Sequence, residues 1–232
     1  NVGVTVDGAF AEYIKLPAAN FIRIPDELDY EAAGVTADAV CTPWHCMKER
    51  AKVKPLDDVM IIGAGGGVGI HAVQMAKLFG GRVIGVDISE AKLELARQYG
   101  ADAVINARGE SVAEAARRLT DGKGVEACVD FVGLPQTAAA GIDSLGRAGT
   151  YVIIGVQPGT FPLNITRLIG PEQVITGSRY STKQELAETI EVVARGLVKP
   201  VVGQRVPLEE VGSLFEMLES ETLPGRGALT FD

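Results

Sequence analysis

Two hundred and thirty-two residues, 47% apolar and 22% charged, suffice for one large domain or two modest ones. With 22 Lys and Arg against 30 Asp and Glu, the formal net charge is −8, which argues against a nucleic-acid or anionic-membrane surface. No apolar run approaches the ~18 residues that span a bilayer, and the 28 glycines follow no Gly-X-Y period, so they signal tight turns rather than collagen. In chain order, residues 1–38 hold a short strand pattern at 9–14 and turns at Pro17 and Pro25. From residue 59 onward, runs of strand length at 59–62, 82–86, 103–105, 125–132, 151–156 and 173–176 are apolar at successive positions, which predicts strands buried on both faces. Helical patterns lie between them at 69–79, 90–99, 111–119 and 135–145. In the second of these Leu93, Ala96 and Tyr99 share a face, Ser89 is the predicted N-cap and Gly100 the stop. Repeated strand–helix alternation predicts an α/β fold, a Rossmann doubly wound six-stranded parallel sheet over residues 39–178. Residues 183–232 hold two amphipathic helices, one with Leu186, Ile190 and Val193, the other with Val211, Leu214, Phe215 and Leu218, and a closing strand at 228–231. The two flanks are expected to pack together beside the sheet.

The segment from Gly63 to Gly69 (GAGGGVG) follows a predicted strand and opens a predicted helix. Gly63, Gly65, Gly66, Gly67 and Gly69 would let the backbone turn tightly and approach a pyrophosphate with no Cβ in the way, while the helix N-terminus attracts the anion. The spacing misses strict GxGxxG by one residue. What raises the motif above an ordinary glycine-rich turn is Asp87, 18 residues after Gly69 at the end of the second predicted strand. A carboxylate there accepts hydrogen bonds from both ribose hydroxyls of NAD and repels the 2′-phosphate of NADP, so NAD is the expected cofactor. The competing reading of Asp87 is a solvated carboxylate that caps the next helix. Lys92 is close enough in sequence to reach the same ribose.

Three cysteines, Cys41, Cys46 and Cys128, form no CxxC pair and no even set, which points to a reducing, cytoplasmic compartment. No signal-peptide pattern opens the chain. The start at Asn1, in mid-pattern, is read as that of a fragment. His45 and His71 fall on predicted helices with no metal-binding partner at helical spacing, and each is expected to be a satisfied or solvated helix residue. Arg179 and Arg226 are possible phosphate contacts.

Taken in order, residues 7–13 (DGAFAEY), 25–28 (PDEL) with 31–34 (EAAG), 38–44 (DAVCTPW), the glycine loop with Asp87, and 130–133 (DFVG) resemble the zinc-dependent medium-chain dehydrogenase/reductase family of the alcohol dehydrogenase type. The resemblance runs over essentially the whole chain. It implies that residues 1–38 and 179–232 belong to a GroES-like catalytic domain and that Asp38, four residues before Thr42, is a catalytic zinc ligand, a position held by Cys or in some members Asp. Carboxylate oxygen suits tetrahedral zinc, although Asp38 could also simply cap the helix over residues 40–50. Thr42 and Val68 would pack against the nicotinamide, Lys92 would give the second ribose contact, and Val132, Gly133, Gly155 and Val156 would line the cofactor with backbone. The family's other two zinc ligands, its proton-relay hydroxyl and its four-cysteine zinc lobe precede the point where this chain starts, so the chain is not expected to hold the catalytic zinc alone.

The activity so implied is NAD-dependent, zinc-assisted hydride transfer between a secondary or cyclic alcohol and the cofactor. Small alcohols or ketones are the expected partners, with no nucleic acid and no membrane. A homodimer or homotetramer would pair through residues 171–178. Two alternatives stand beside it: a zinc-independent quinone or enoyl reductase using NADPH, which Asp87 opposes, and a non-catalytic NAD-binding or oligomerisation fragment.

Overall fold

The computed structural model describes residues 2–231, the side chain of Arg167 apart. A bent helical arm comes first. Asp29 starts it by accepting the Ala32 N–H at 2.6 Å, and it runs through α1 (Tyr30–Val35) and α2 (Cys41–His45), joined and followed by π-helical turns at Thr36–Val40 and Cys46–Arg50. Pro43, which has no N–H to donate, lies between the two wide turns. The chain then alternates β1 (Asp58–Ile62), α3 (Gly69–Leu78), β2 (Arg82–Asp87), α4 (Glu90–Gln98), β3 (Ala103–Asn106), α5 (Val112–Leu119), β4 (Val125–Asp130), α6 (Pro135–Ser144), β5 (Leu145–Ile153), α7 (Thr166–Ile169) and β6 (Val174–Gly177). These six strands form one parallel sheet in the order β3-β2-β1-β4-β5-β6, the doubly wound arrangement expected from the strand–helix alternation.

Strand side chains alternate between the two faces, and both faces are buried. Val59, Ile61, Val83, Val129 and Val152 join α3 and the helical arm in one apolar cluster. Met60, Ile62, Ile84, Val86, Cys128 and Tyr151 join Ala115, Ala116, Ala138 and Ile142 in the other. The continuous apolar runs therefore reflect burial on both faces. Cys41, Cys46 and Cys128 are buried free thiols in these layers. Burial pushes all three up from the usual thiol range, which keeps them protonated and unreactive.

The flanks depart from the sequence reading. Residues 9–14 form bends and irregular chain rather than a strand. Phe10 and Tyr13 stand exposed, and no described strand lies alongside to satisfy the backbone groups an extended segment would present. After α8 (Lys183–Ala194), β7 (Val202–Pro207) and α9 (Val211–Glu219), the closing strand β8 (Arg226–Thr230) pairs in parallel with β7, which the sequence did not reveal. α1 packs on both of these strands. Phe215 and Leu218, expected on the buried face of α9, are about half exposed, and Leu214 alone is buried there. Among the described residues no helix is long and apolar enough to cross a membrane.

His71 ties the two parts together. It is fully buried in α3; its Nδ1 lies 2.9 Å from the Gly67 carbonyl and its Nε2 accepts the Val201 N–H at 2.8 Å. One nitrogen must donate and the other accept, so the ring is neutral. Burial lowers its pKa to about 4 from 6.5. The unfolded chain therefore binds a proton that the folded chain refuses between those values, and stability should rise as pH increases from about 4 to 6.5 and level off above. At most about 3 kcal/mol is at stake. Urea unfolding across that range should show the slope in the native chain and a flatter dependence in His71→Gln; equal slopes would rule out this role.

Candidate dinucleotide site

The parallel register sets Ile62 beside Val86 and Asp130, so β1, β2 and β4 end along one edge of the sheet, where the strand order reverses direction. A cleft of about 890 Å³ opens at that edge. Its floor is the glycine segment. Gly63 (φ +79°) and Ala64 donate their N–H groups to the Val86 carbonyl, and Gly66 donates to Gly63.

Glycine is required here by contact as well as by turn geometry. A Cβ on Gly69 would lie 1.9 Å from the Gly63 oxygen, one on Gly65 would lie 2.3 Å from the Lys92 Cβ, and one on Gly67 would lie 2.7 Å from the Gly225 oxygen. The loop is pinned against α4 on one side and against the approach to β8 on the other. α3 follows with Val68 at its N-cap, a residue with no side-chain acceptor to occupy the first N–H groups. An anion at that end meets amide dipoles with no competing side chain.

Asp87 ends β2 beside this loop and is 8% exposed. Its Oδ2 accepts the Gly65 N–H at 3.2 Å; its Oδ1 accepts those of Ile88 at 2.8 Å and Ser89 at 3.4 Å. Three backbone donors fix the carboxylate at the cleft wall. Ser89 occupies the N-cap position of α4, as expected, yet its hydroxyl makes no cap bond.

The remaining predicted positions divide into groups. Gly63, Gly66, Gly67, Val68, Gly69, Asp87, Lys92 and Val132 line the cleft. Gly65 lies directly behind Asp87. Gly133 (φ +76°) is pressed against Gly155, where a Cβ would come within 2.2 Å of the Gly155 oxygen. The Gly155 N–H bonds to the Asp130 carbonyl at 3.0 Å, drawing the chain off β5 after Ile153. Val156 lies beyond, 94% exposed and away from the cleft wall.

Asp38 and Thr42 sit together on the helical arm, with the Thr42 hydroxyl 3.4 Å from Asp38 Oδ1. The other Asp38 oxygen takes Arg226 Nη2 at 2.9 Å. Asp38 is thus half of an ion pair in the middle of a helical stretch rather than the cap at its start. Among the described residues no group of three His, Cys, Asp or Glu side chains converges. The residues present do not by themselves fit a catalytic zinc.

Sequence reasoning missed several partners. Arg226, left as one possible phosphate contact among others, lies at the cleft with its Cδ and Nε close behind Gly67. Lys92 pairs with Glu221 at 3.2 Å. His45 is a satisfied helix histidine, as expected, with its Nδ1 2.9 Å from Glu185 Oε1 on α8. Arg179 stacks over Tyr180.

Comparison with known proteins agrees with this geometry. Residues 67–195 match the family described as zinc-binding dehydrogenase. The chain is 34% identical over 230 residues to a NAD-dependent alcohol dehydrogenase of Sulfolobus acidocaldarius, covering 98% of this chain and 66% of that protein. It is 34% identical over its whole length to an alcohol dehydrogenase of Geobacillus stearothermophilus, covering 67% of it. A crystal structure of a NAD-dependent alcohol dehydrogenase superposes with a TM-score of 0.90 at 33% identity, over 99% of this chain and 67% of that one.

Proposed function

The chain belongs to the zinc-binding dehydrogenase family, and from that premise we propose that it forms the NAD-binding part of an alcohol dehydrogenase acting on a secondary or cyclic alcohol. One observation carries the reading: a carboxylate, Asp87, fixed by three backbone N–H groups at the end of β2 beside a loop with no room for a side chain at Gly65, Gly67 or Gly69. Such a carboxylate accepts both adenosine ribose hydroxyls, and the amides of Gly67, Val68 and Gly69 at the N-terminus of α3 take the diphosphate. Lys92 and Arg226 bring positive charge to the same cleft. Val68 and Val132 line the part of the cleft into which the second mononucleotide would extend, and in this reading Thr42 would meet the nicotinamide from the helical arm. When bound, NAD supplies the hydride acceptor at its nicotinamide ring.

The protein's part is to hold that ring in one orientation and keep water away from it. In the same reading Asp38 would be one oxygen ligand of a catalytic zinc, in place of its ion pair with Arg226. Residues 1–38 and 179–232 act as one catalytic-domain portion around the nucleotide domain, and the edge strand β6 offers the pairing surface for a homodimer or homotetramer.

The test is an assay of the complete polypeptide that carries this chain, with secondary and cyclic alcohols. NADH should form at least about tenfold faster than NADPH does from NADP⁺, a difference of about 1.4 kcal/mol. Turnover confined to activated alkenes with NADPH would refute the proposal.

A further inference from the structure

Lys92 and Glu221 meet at the wall of the cleft that Asp87 also lines. Lys92 stands in the first turn of α4, and its backbone is fixed: the Cβ that Gly65 lacks would lie 2.6 Å from the Lys92 carbonyl oxygen. Its ammonium group enters that cleft. The other cleft cation, Arg226, is engaged by Asp38.

Glu221 reaches Lys92 from an unusual backbone position. It follows α9 with φ +57°, in the left-handed region. Its N–H bonds to the Leu218 carbonyl at 3.1 Å, and the Thr222 N–H bonds to the Met217 carbonyl at 2.9 Å. This is the helix-ending turn in which glycine is the usual residue, because a Cβ strains that conformation. Glycine would make the same turn at lower cost. What glutamate adds is its carboxylate, with Oε2 placed 3.2 Å from Lys92 Nζ. Strain accepted at a cleft wall points to a use for the side chain.

We infer that Glu221 is a second determinant of dinucleotide selectivity, acting through Lys92. An unpaired ammonium group beside the adenosine ribose would attract a 2′-phosphate and offset the repulsion from Asp87. Glu221 meets that charge before the ligand arrives. Selection against the 2′-phosphate then comes from two distant parts of the chain, the end of β2 and the turn after α9. The inference rests on the NAD reading above.

The test is fluorescence titration of NADH and NADPH against the native chain, Glu221→Gln, Lys92→Met and the double variant. Glu221 is largely exposed, so its replacement leaves the core intact. Glu221→Gln should raise the NADPH-to-NADH affinity ratio about fivefold at low salt, the scale of one exposed ion pair. The rise should shrink with added salt and vanish in the Lys92→Met background. An unchanged ratio, or the same rise without Lys92, overturns the inference while leaving the NAD reading in place. A native chain that binds neither dinucleotide, or binds NADPH as tightly as NADH, overturns the reading itself.

Discussion

Gly69→Ala should lower NADH affinity by about 10- to 100-fold and lower the melting temperature by several degrees. The added methyl group would lie 1.9 Å from the Gly63 oxygen, 2.8 Å from the Gly63 carbonyl carbon and 3.1 Å from the Ala64 Cα. All three are backbone atoms, so no rotamer change relieves the contact. The loop has to move away from α3, and with it the N–H groups of Gly67, Val68 and Gly69. Overpacking of this kind costs about 1–3 kcal/mol in stability, and a diphosphate that loses its amide cradle forfeits about as much again in binding. Gly34→Ala is the control. It lies in α1, and its Cβ would meet nothing within 4 Å. There the exchange should stabilise the chain by about 0.5–1 kcal/mol, because alanine loses less freedom in a helix. Thermal denaturation and NADH titration of both variants check the pair. A Gly69→Ala protein that keeps native affinity would mean that the loop does not hold the diphosphate.

The nucleotide-domain fold was legible because its cause is local. A strand covered on both faces is apolar at nearly every position, and β1, β2 and β4 carry that mark, whereas the edge strand β6 is only partly covered. β5 was read imperfectly, starting at Tyr151 and running to Val156 where the structure has Leu145–Ile153. Gly146, Arg147 and Gly149 hide its start, and the pull of the Asp130 carbonyl on Ile154 and Gly155 ends it early. β7 was missed altogether, because Gly203 and Pro207 blur its pattern and its parallel partner β8 begins well beyond any hairpin distance. The reverse error at residues 9–14 has the same origin: a pattern can suit a strand, but a strand exists only where a neighbour takes its hydrogen bonds.

The site divides in the same way. The glycine loop and Asp87 lie within a single strand–helix–strand unit, so their spacing is visible in one dimension. The contacts that set the charge of the cleft are not. Lys92 and Glu221 are 129 residues apart, and Asp38 and Arg226 188. Each joins the flanks or the helical arm to another part of the chain, and no periodicity links such partners. The sole local hint was at Glu221, a charged residue just past a helical pattern where a glycine would be usual.

Asp87→Ala carries the second large effect. Two charge-assisted hydrogen bonds to the ribose hydroxyls would be lost, and the Gly65 N–H would lose its acceptor. About 2 kcal/mol of binding goes with them, equivalent to about 30-fold in NADH affinity. NADPH should lose far less, since removing the carboxylate also removes the repulsion of its 2′-phosphate. Titrating both dinucleotides against the native and Asp87→Ala proteins under one set of conditions therefore probes the site where its chemistry is most specific. The expected result is a native chain that strongly prefers NADH and a variant in which that preference has largely collapsed. Equal NADH affinity in the two proteins would contradict a ribose held by Asp87.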